Sequence, residues 1–215
     1  INLAGMLGTH ESFGIEYEAV QANILGAINV YDMAAVDRIP VVQIGTGHKG
    51  QPNPYAISKA AAEDMGLARA KYLNERITVV RAYHVYGEGQ KAPAPHGMSP
   101  VRKIIPSFVC RAMSNMDIEI TNDGTQLIDL VYVEDVAKVL VDALSAPPGT
   151  LLQAGTGKAT SVIDAAHDVR TWVGSTSRIV KIGERIGEPV GAVVVADDPL
   201  CSNPWPHRLA ETVVW

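Results

Sequence analysis

Apolar residues recur at helical spacing between residues 14 and 37, among them Ala19, Ala22, Ile24, Ile28 and Tyr31, and predict one long helix. Pro40 ends the connection to Val41-Val42-Gln43-Ile44, a β-branched, near-continuous apolar run. Such a run suits a central parallel strand covered on both faces. Gly45-Thr46-Gly47 follows at its C-terminal end. A second helix is predicted over 55–74, with Pro54 before its first turn, where a missing N–H costs nothing. A strand over 77–83 leads into a Gly- and Pro-rich loop over 87–100. Beyond it the pattern predicts a helix at 101–115, strands at 118–121 and 127–133 around an Asp123-Gly124 turn, and a helix at 134–145. After the Pro147-Pro148-Gly149 break come a strand at 151–154, a helix at 161–173 and a strand at 179–182; the last 30 residues read as irregular. Alternating strands and helices predict an α/β fold with a doubly wound parallel sheet. We assign residues 1–86 to the sheet domain, with 127–146 returning to it, and 87–126 and 147–215 mainly to a smaller C-terminal lobe.

Composition narrows the function. The chain has 215 residues, 47% of them hydrophobic, enough for one sizeable core. A net charge of −5 without clustered Lys and Arg argues against a nucleic-acid surface. No apolar run reaches the roughly 18 residues of a membrane span, and no signal-peptide pattern is present. Cys110 and Cys201 form neither a CxxC pair nor a metal-ligand spacing, which suits a reducing cytoplasm. His10, His96, His167 and His207 show no ligand spacing either, so no metal is expected. Ile1-Asn2-Leu3-Ala4-Gly5 reads as the end of a buried strand, and the expectation is that a preceding segment is missing.

The sharpest chemical signal is Tyr55-Ala56-Ile57-Ser58-Lys59. Residues four apart share a helix face, so phenol and ammonium sit side by side beyond the strand edge. A tyrosine with a pKa near 10 is a poor base at neutral pH. A neighbouring Lys59 cation lowers that value, and Tyr55 then takes a proton from a substrate hydroxyl while the carbon gives up hydride. The plain alternative is an amphipathic helix pair; the strand, the Gly-Thr-Gly tip and the Pro-led helix around it favour the chemistry.

With these residues in place the chain resembles the extended short-chain dehydrogenase/reductase family, in its NAD-dependent epimerase/dehydratase group, over about residues 2–197. Asn2-Leu3-Ala4-Gly5 looks like the cofactor-lining segment after the family's fourth strand. Asn23-Ile24-Leu25-Gly26-Ala27-Ile28-Asn29 is similar to its N-x-x-G-T-x-N helix, and Tyr55-x-x-x-Lys59 falls at its catalytic pair. Arg81-Ala82-Tyr83-His84-Val85-Tyr86-Gly87 resembles R-x-x-N-V-Y-G. Asp123-Gly124-Thr125-Gln126 through Asp129 to Ala137, and Arg185-Ile186-Gly187-Glu188, look like its late segments. The resemblance implies a Rossmann-like sheet, N-terminally incomplete, with a small C-terminal substrate lobe. It implies NAD as cofactor, NADP not being excluded, held by Leu3, Ala4, Gly5, Asn23, Tyr55, Lys59, Tyr83 and Val85. It implies catalysis by Thr46, Tyr55 and Lys59, and a nucleotide-sugar substrate touched by Thr46, His84, Arg102, Gln126 and Arg185. Relatives pair helices corresponding to 14–37 and 55–74 across a two-fold axis, so a homodimer is expected, with Met33, Met65 and Leu67 at the contact or in the core.

Departures from the family pattern sharpen the reading. The glycine-rich G-x-x-G-x-x-G is not found, so the chain as it stands is expected to bind the cofactor poorly or not at all. Thr46 and Tyr55 are only nine residues apart. His84 stands for the usual Asn, and Ile128 for an Arg that would touch a diphosphate; Arg102 and Lys103 are candidates to replace that charge or are surface residues. The Asp-Glu pair of the 4,6-dehydratases is Gly47-His48 here, so an epimerase is favoured over a dehydratase. His48 is expected to be an exposed loop histidine, with an extra proton-transfer role as the alternative. A reductase of a non-nucleotide substrate and a non-catalytic binding protein stay open beside the epimerase.

Overall fold

The computed structural model describes residues 1–188, 190–206 and 209; His207 lies outside the described residues. Its centre is a parallel sheet of β1 (Val41–Thr46), β2 (Ile77–Ala82) and β6 (Leu151–Ala154), in the order β1-β2-β6. Thr46 pairs with Ala82 and Ala82 with Ala154, so the three strands end together. Asn2 extends this sheet beyond β1: its N–H donates to Val42 O at 2.8 Å and its carbonyl accepts from Ile44 N at 3.2 Å. Both faces are covered, which explains the unbroken apolar runs. On one side Ala27, Tyr31, Ala62 and Ala70 pack against Val41 and Ile77. On the other, Val136, Val139, Leu140 and Ala143 pack against Val42, Val80 and Ala154.

The first helix is α1 (Glu16–Ala19), a π-helical stretch Val20–Leu25 and α2 (Gly26–Val36) in one continuous run. Periodicity predicts the run but not the π segment, where the backbone hydrogen bonds shift by one residue without a change in composition. Helix α3 (Pro54–Leu73) begins as its sequence dictates: Asn53 Oδ1 accepts from Ala56 N at 2.8 Å and Pro54 opens the first turn. It ends on Asn74 in the left-handed region, φ 55°.

The lobe beyond residue 87 has its own core. Ile105, Phe108, Val109 and Ala112 of α4 (Ile104–Met113) and Val162, Ala165, Ala166 and Val169 of α6 (Val162–Val173) pack on Ile118, Ile120, Ile128, Leu130 and Trp205. Two further sheets lie here: β4 (Ile118–Thr121) beside β8 (Ile179–Ile182), and β5 (Leu127–Tyr132) between β3 (His84–Tyr86) and β7 (Ala159–Ser161), with β9 (Val193–Val194) also on β5. The two-residue β9 lies in a stretch whose pattern reads as irregular, because so short a strand leaves no alternation. Asp129, fully buried on β5, ties the lobe to the sheet: it accepts from Thr156 N, Thr156 Oγ1 at 2.6 Å, Gly157 N at 2.8 Å and Ala196 N at 3.2 Å. Helix α5 (Val133–Asp142) follows β5 and returns to cover the central sheet.

Candidate active site

Where β1 ends, its last residue Thr46 is buried and aims its hydroxyl into a cavity of about 520 Å³. Open α/β sheets bind ligands at this C-terminal rim. The turn after β1 needs glycine at 47, because a Cβ there would lie 2.5 Å from the Tyr83 ring. That close approach brings the chain back to α3, whose first turn carries Tyr55 and whose second carries Lys59.

The Thr46 hydroxyl lies near enough to the Tyr55 phenol to pull its pKa down. Thr46 Oγ1 also accepts from His48 N at 3.2 Å and lies 3.1 Å from His48 Nδ1. The His48 ring is 6.2 Å from that of Tyr55 and 4.8 Å from that of His84. His48 is thus half-buried and packed, not an exposed loop residue. Burial pulls its pKa down to about 4 and pulls that of His84 well below the usual imidazole range, Lys103 adding to both, so the two rings are neutral at pH 7. Burial raises the Tyr55 phenol above its ordinary value, and the Thr46 hydroxyl offsets only part of that rise. The downward pull that the helical spacing assigns to Lys59 comes instead from Thr46. Burial lowers Lys59 to about 8, against an upward pull from Glu63 one turn further along.

Glu63 is itself buried, held by Arg81 at 2.5 Å and Lys49 at 2.9 Å. This network crosses from α3 to β2 and fixes the face that carries Lys59.

Asn23, in the π-helical stretch, accepts from Met6 N at 2.7 Å and donates to Ser58 Oγ at 2.8 Å. It therefore positions both the 3–7 segment and the active face of α3. At Gly5 a Cβ would lie 2.7 Å from Asn23 Oδ1 and 3.6 Å from Lys59 Nζ, so this segment passes directly over the amine. Leu3, Gly5, Tyr55, Lys59, Tyr83 and Val85 all line the cavity, while Asn23 stands behind it and Ala4 is exposed beside it. These residues fit the nicotinamide-ribose half of a dinucleotide: an amine for the ribose hydroxyls, a backbone without side chain at Gly5, and an apolar floor.

The other end of the cavity carries the candidate substrate residues His84, Arg102, Gln126 and Arg185. Among the described residues, His84 Nδ1, Gln90 Oε1 and Gln126 Oε1 are shielded from solvent and unpartnered. Gln90 lies in the 87–100 loop and carries no sequence signal; only its place in the cavity reveals it. Orphaned buried acceptors are costly, and ligand hydroxyls would satisfy them. The arginines are already engaged. Arg185 bonds Glu11 at 2.6 Å and Glu188 at 2.7 Å, and Arg102 bonds Glu119 at 3.0 Å. Among the described residues, no group of His, Cys, Asp and Glu could hold a metal ion, and no helix is long and apolar enough to cross a membrane.

The chain is 28% identical over 183 residues to a putative UDP-glucose 4-epimerase of Methanocaldococcus jannaschii, covering 77% of this chain and 58% of that protein. It is 27% identical to a dTDP-4-dehydro-6-deoxy-D-allose reductase of Streptomyces bikiniensis, covering 65% of this chain and 40% of that one. The chain thus spans less than two thirds of the length of these relatives. The Thermus thermophilus UDP-glucose 4-epimerase in complex with NAD superposes with a TM-score of 0.78 at 21% identity, covering 90% of this chain and 67% of that one. The sequence model of the NAD dependent epimerase/dehydratase family matches residues 1–155, and the chain belongs to that family.

Proposed function

We propose that the protein is an epimerase of a nucleotide-linked sugar, working with NAD through transient oxidation to a keto sugar. The reading rests on one observation above all: Thr46 at the rim of the sheet, and Tyr55 and Lys59 one turn apart on α3, line the same cavity. The nicotinamide, when bound, supplies a reversible hydride acceptor and a positive ring charge.

The chain's own residues manage the proton and the geometry. Tyr55 takes the hydroxyl proton of the sugar carbon as its hydride leaves, and returns it after the hydride comes back to the other face. A hydroxyl has one proton to give. While the phenol is protonated, Thr46 Oγ1 accepts from it and donates to His48 Nδ1. When the phenol ionises, Thr46 turns its proton to the phenolate, and His48, neutral at pH 7, donates from Nδ1 as the other tautomer. Lys59 would bind the ribose hydroxyls, and Leu3, Ala4, Gly5, Tyr83 and Val85 would shape the same side. The acceptors of His84, Gln90 and Gln126 suit a hydroxyl-rich ligand such as a sugar.

A nucleotide sugar deuterated at the oxidised carbon tests this. The epimerised product is expected to retain the label at that carbon, because one hydride leaves and returns. Wash-out of deuterium into solvent would contradict it.

The ion pairs of Arg102 and Arg185 favour a second reading, a reductase of a non-nucleotide substrate, since neither guanidinium is then free for a diphosphate. Stabilisation by NAD but by no UDP-, GDP- or dTDP-sugar in a thermal-shift screen would select it. We also assign the protein to the cytoplasm, where Cys110 and Cys201, both free, stay reduced. We assign it a homodimer through the helices over 14–37 and 55–74, which leave Met33 77%, Ile57 60% and Tyr72 72% exposed. Sedimentation of Met33→Glu as a monomer, against a wild-type dimer, is the expected result.

A further inference from the structure

One carboxylate joins three distant stretches of the chain at the edge of the cavity. Arg185 Nη2 donates to Glu11 Oε1 at 2.6 Å, and the backbone N–H of Arg102 donates to the same oxygen at 3.3 Å. Arg102 and Arg185 both line the cavity, as do Gly8 and Thr9 from the segment that carries the glutamate. A guanidinium and a backbone N–H converging on one anionic oxygen are the donors that a bound phosphoryl group would use.

Glu11 fills that place imperfectly. Its second oxygen, Oε2, is shielded from solvent and has no partner among the described residues. An orphaned acceptor of this kind is costly. Arg185 gives one N–H to Glu11 and another, at 2.7 Å, to Glu188, so neither carboxylate takes the two parallel bonds that a guanidinium offers. The neighbouring carboxylates do not depend on Glu11. Glu188 also accepts from Thr9 Oγ1 at 2.9 Å, and Glu119 pairs with Arg102 at 3.0 Å and Arg111 at 2.5 Å.

The backbone beneath Glu11 is fixed, and its side chain is not. Ser12, fully buried, donates to Thr9 O at 3.0 Å and accepts from Tyr55 N at 3.2 Å, which ties the segment to the first turn of α3. The Glu11 side chain is 24% exposed, so a rotation about its own bonds carries the carboxylate out to solvent without moving the segment. We propose that Glu11 is an internal competitor for the ligand's anion: its carboxylate occupies the place between Arg185 Nη2 and the Arg102 N–H, and a phosphoryl group of the ligand displaces it on binding. One negative charge leaves as another arrives, so the swap leaves no guanidinium unanswered. Glu11 thereby weakens the hold on phosphorylated ligands and sets how strongly they bind. This deepens the epimerase reading and rests on it for the source of the phosphoryl group, the diphosphate of a nucleotide sugar.

The test is calorimetric titration of the NAD-loaded protein, expressed from its complete gene, with UDP and with inorganic pyrophosphate. Pyrophosphate carries the anion without base or sugar. Glu11→Gln keeps the shape of the side chain and removes its charge. It is expected to bind both ligands at least about tenfold more tightly than wild type, the scale of a charge-assisted hydrogen bond. Arg185→Met is expected to weaken both by about tenfold or more. In the Arg185→Met background Glu11→Gln is expected to change affinity by less than about twofold, because the donor in contest is gone. Glu11→Asp draws the carboxylate back by one methylene; it is expected to move in the same direction as Glu11→Gln and guards against a folding defect there. Weaker or unchanged binding in Glu11→Gln would make Glu11 a strut that holds Arg185 in place, and overturns the proposal. A gain that persists in the Arg185→Met background is a field effect and overturns it too, as does absence of binding of both ligands in every variant. Tighter pyrophosphate binding in Glu11→Gln with no binding of UDP supports the competition and counts against a uridine nucleotide, so the two readings fail separately.

Discussion

Lys59→Met exchanges an ammonium for a thioether of similar length at a position that is only 4% exposed. Burial brings the amine from its ordinary 10.5 down to about 8, with Glu63 pulling the other way. At about 1.36 kcal/mol per pH unit, that gap corresponds to about 3 kcal/mol. The sign follows from proton uptake. Between about pH 8 and 10.5 the unfolded chain holds this proton and the folded chain does not, so the native state gains stability as pH rises through that window. Below pH 8 the full cost is present. Removing the charge should therefore stabilise the protein at pH 7 by up to about 3 kcal/mol, or roughly 6–12 °C in Tm for a chain of this size. Glu63 stays compensated by Arg81 and Lys49 in the variant, so no orphaned carboxylate offsets the gain. Urea unfolding of wild type and Lys59→Met at pH 7 and pH 10 measures this. The gap is expected to shrink to about 1 kcal/mol at pH 10. A variant less stable than wild type at pH 7, or a gap that does not narrow, would refute the reasoning. The same variant should bind NAD more weakly, a stability-for-function exchange at the active helix.

Three more outcomes follow from the geometry. Asp129→Asn turns amide protons toward the donors of Thr156, Gly157 and Ala196, and should cost about 2–4 kcal/mol in urea unfolding. His48 and His84 have depressed pKa values, so the protein should lose stability as pH falls from about 6.5 toward about 4; His48→Gln should flatten that slope in thermal scans. Gly47→Ala drives a methyl into the Tyr83 ring and should cost about 1–3 kcal/mol, read as a lowered urea midpoint.

The sheet and its main helices are legible in the sequence because the physics behind them is local. Val41-Val42-Gln43-Ile44 announces a strand buried on two faces, and Pro54 announces the start of α3. Thr46, Tyr55 and Lys59 are legible for the same reason: a strand end and one helix face bring them together. Long-range partners are not. Glu63 meets Arg81 and Lys49, and Arg185 meets Glu11 across 174 positions, with no pattern to signal either. Arg102 and Lys103 read as two adjacent basic residues, and nothing in the pattern signals that Glu119 pairs with Arg102. His48 reads as a loop residue until the turn that Gly47 permits folds it back against Thr46 and His84.

Tyr55→Phe removes one oxygen and leaves the helix, its cap and its packing in place. With nucleotide sugar and NAD supplied to the protein expressed from its complete gene, the account expects turnover to fall by at least about a thousandfold while the melting temperature stays within a few degrees. Turnover within tenfold of wild type would show that the proton travels by another route, and the role assigned to the phenol would be lost.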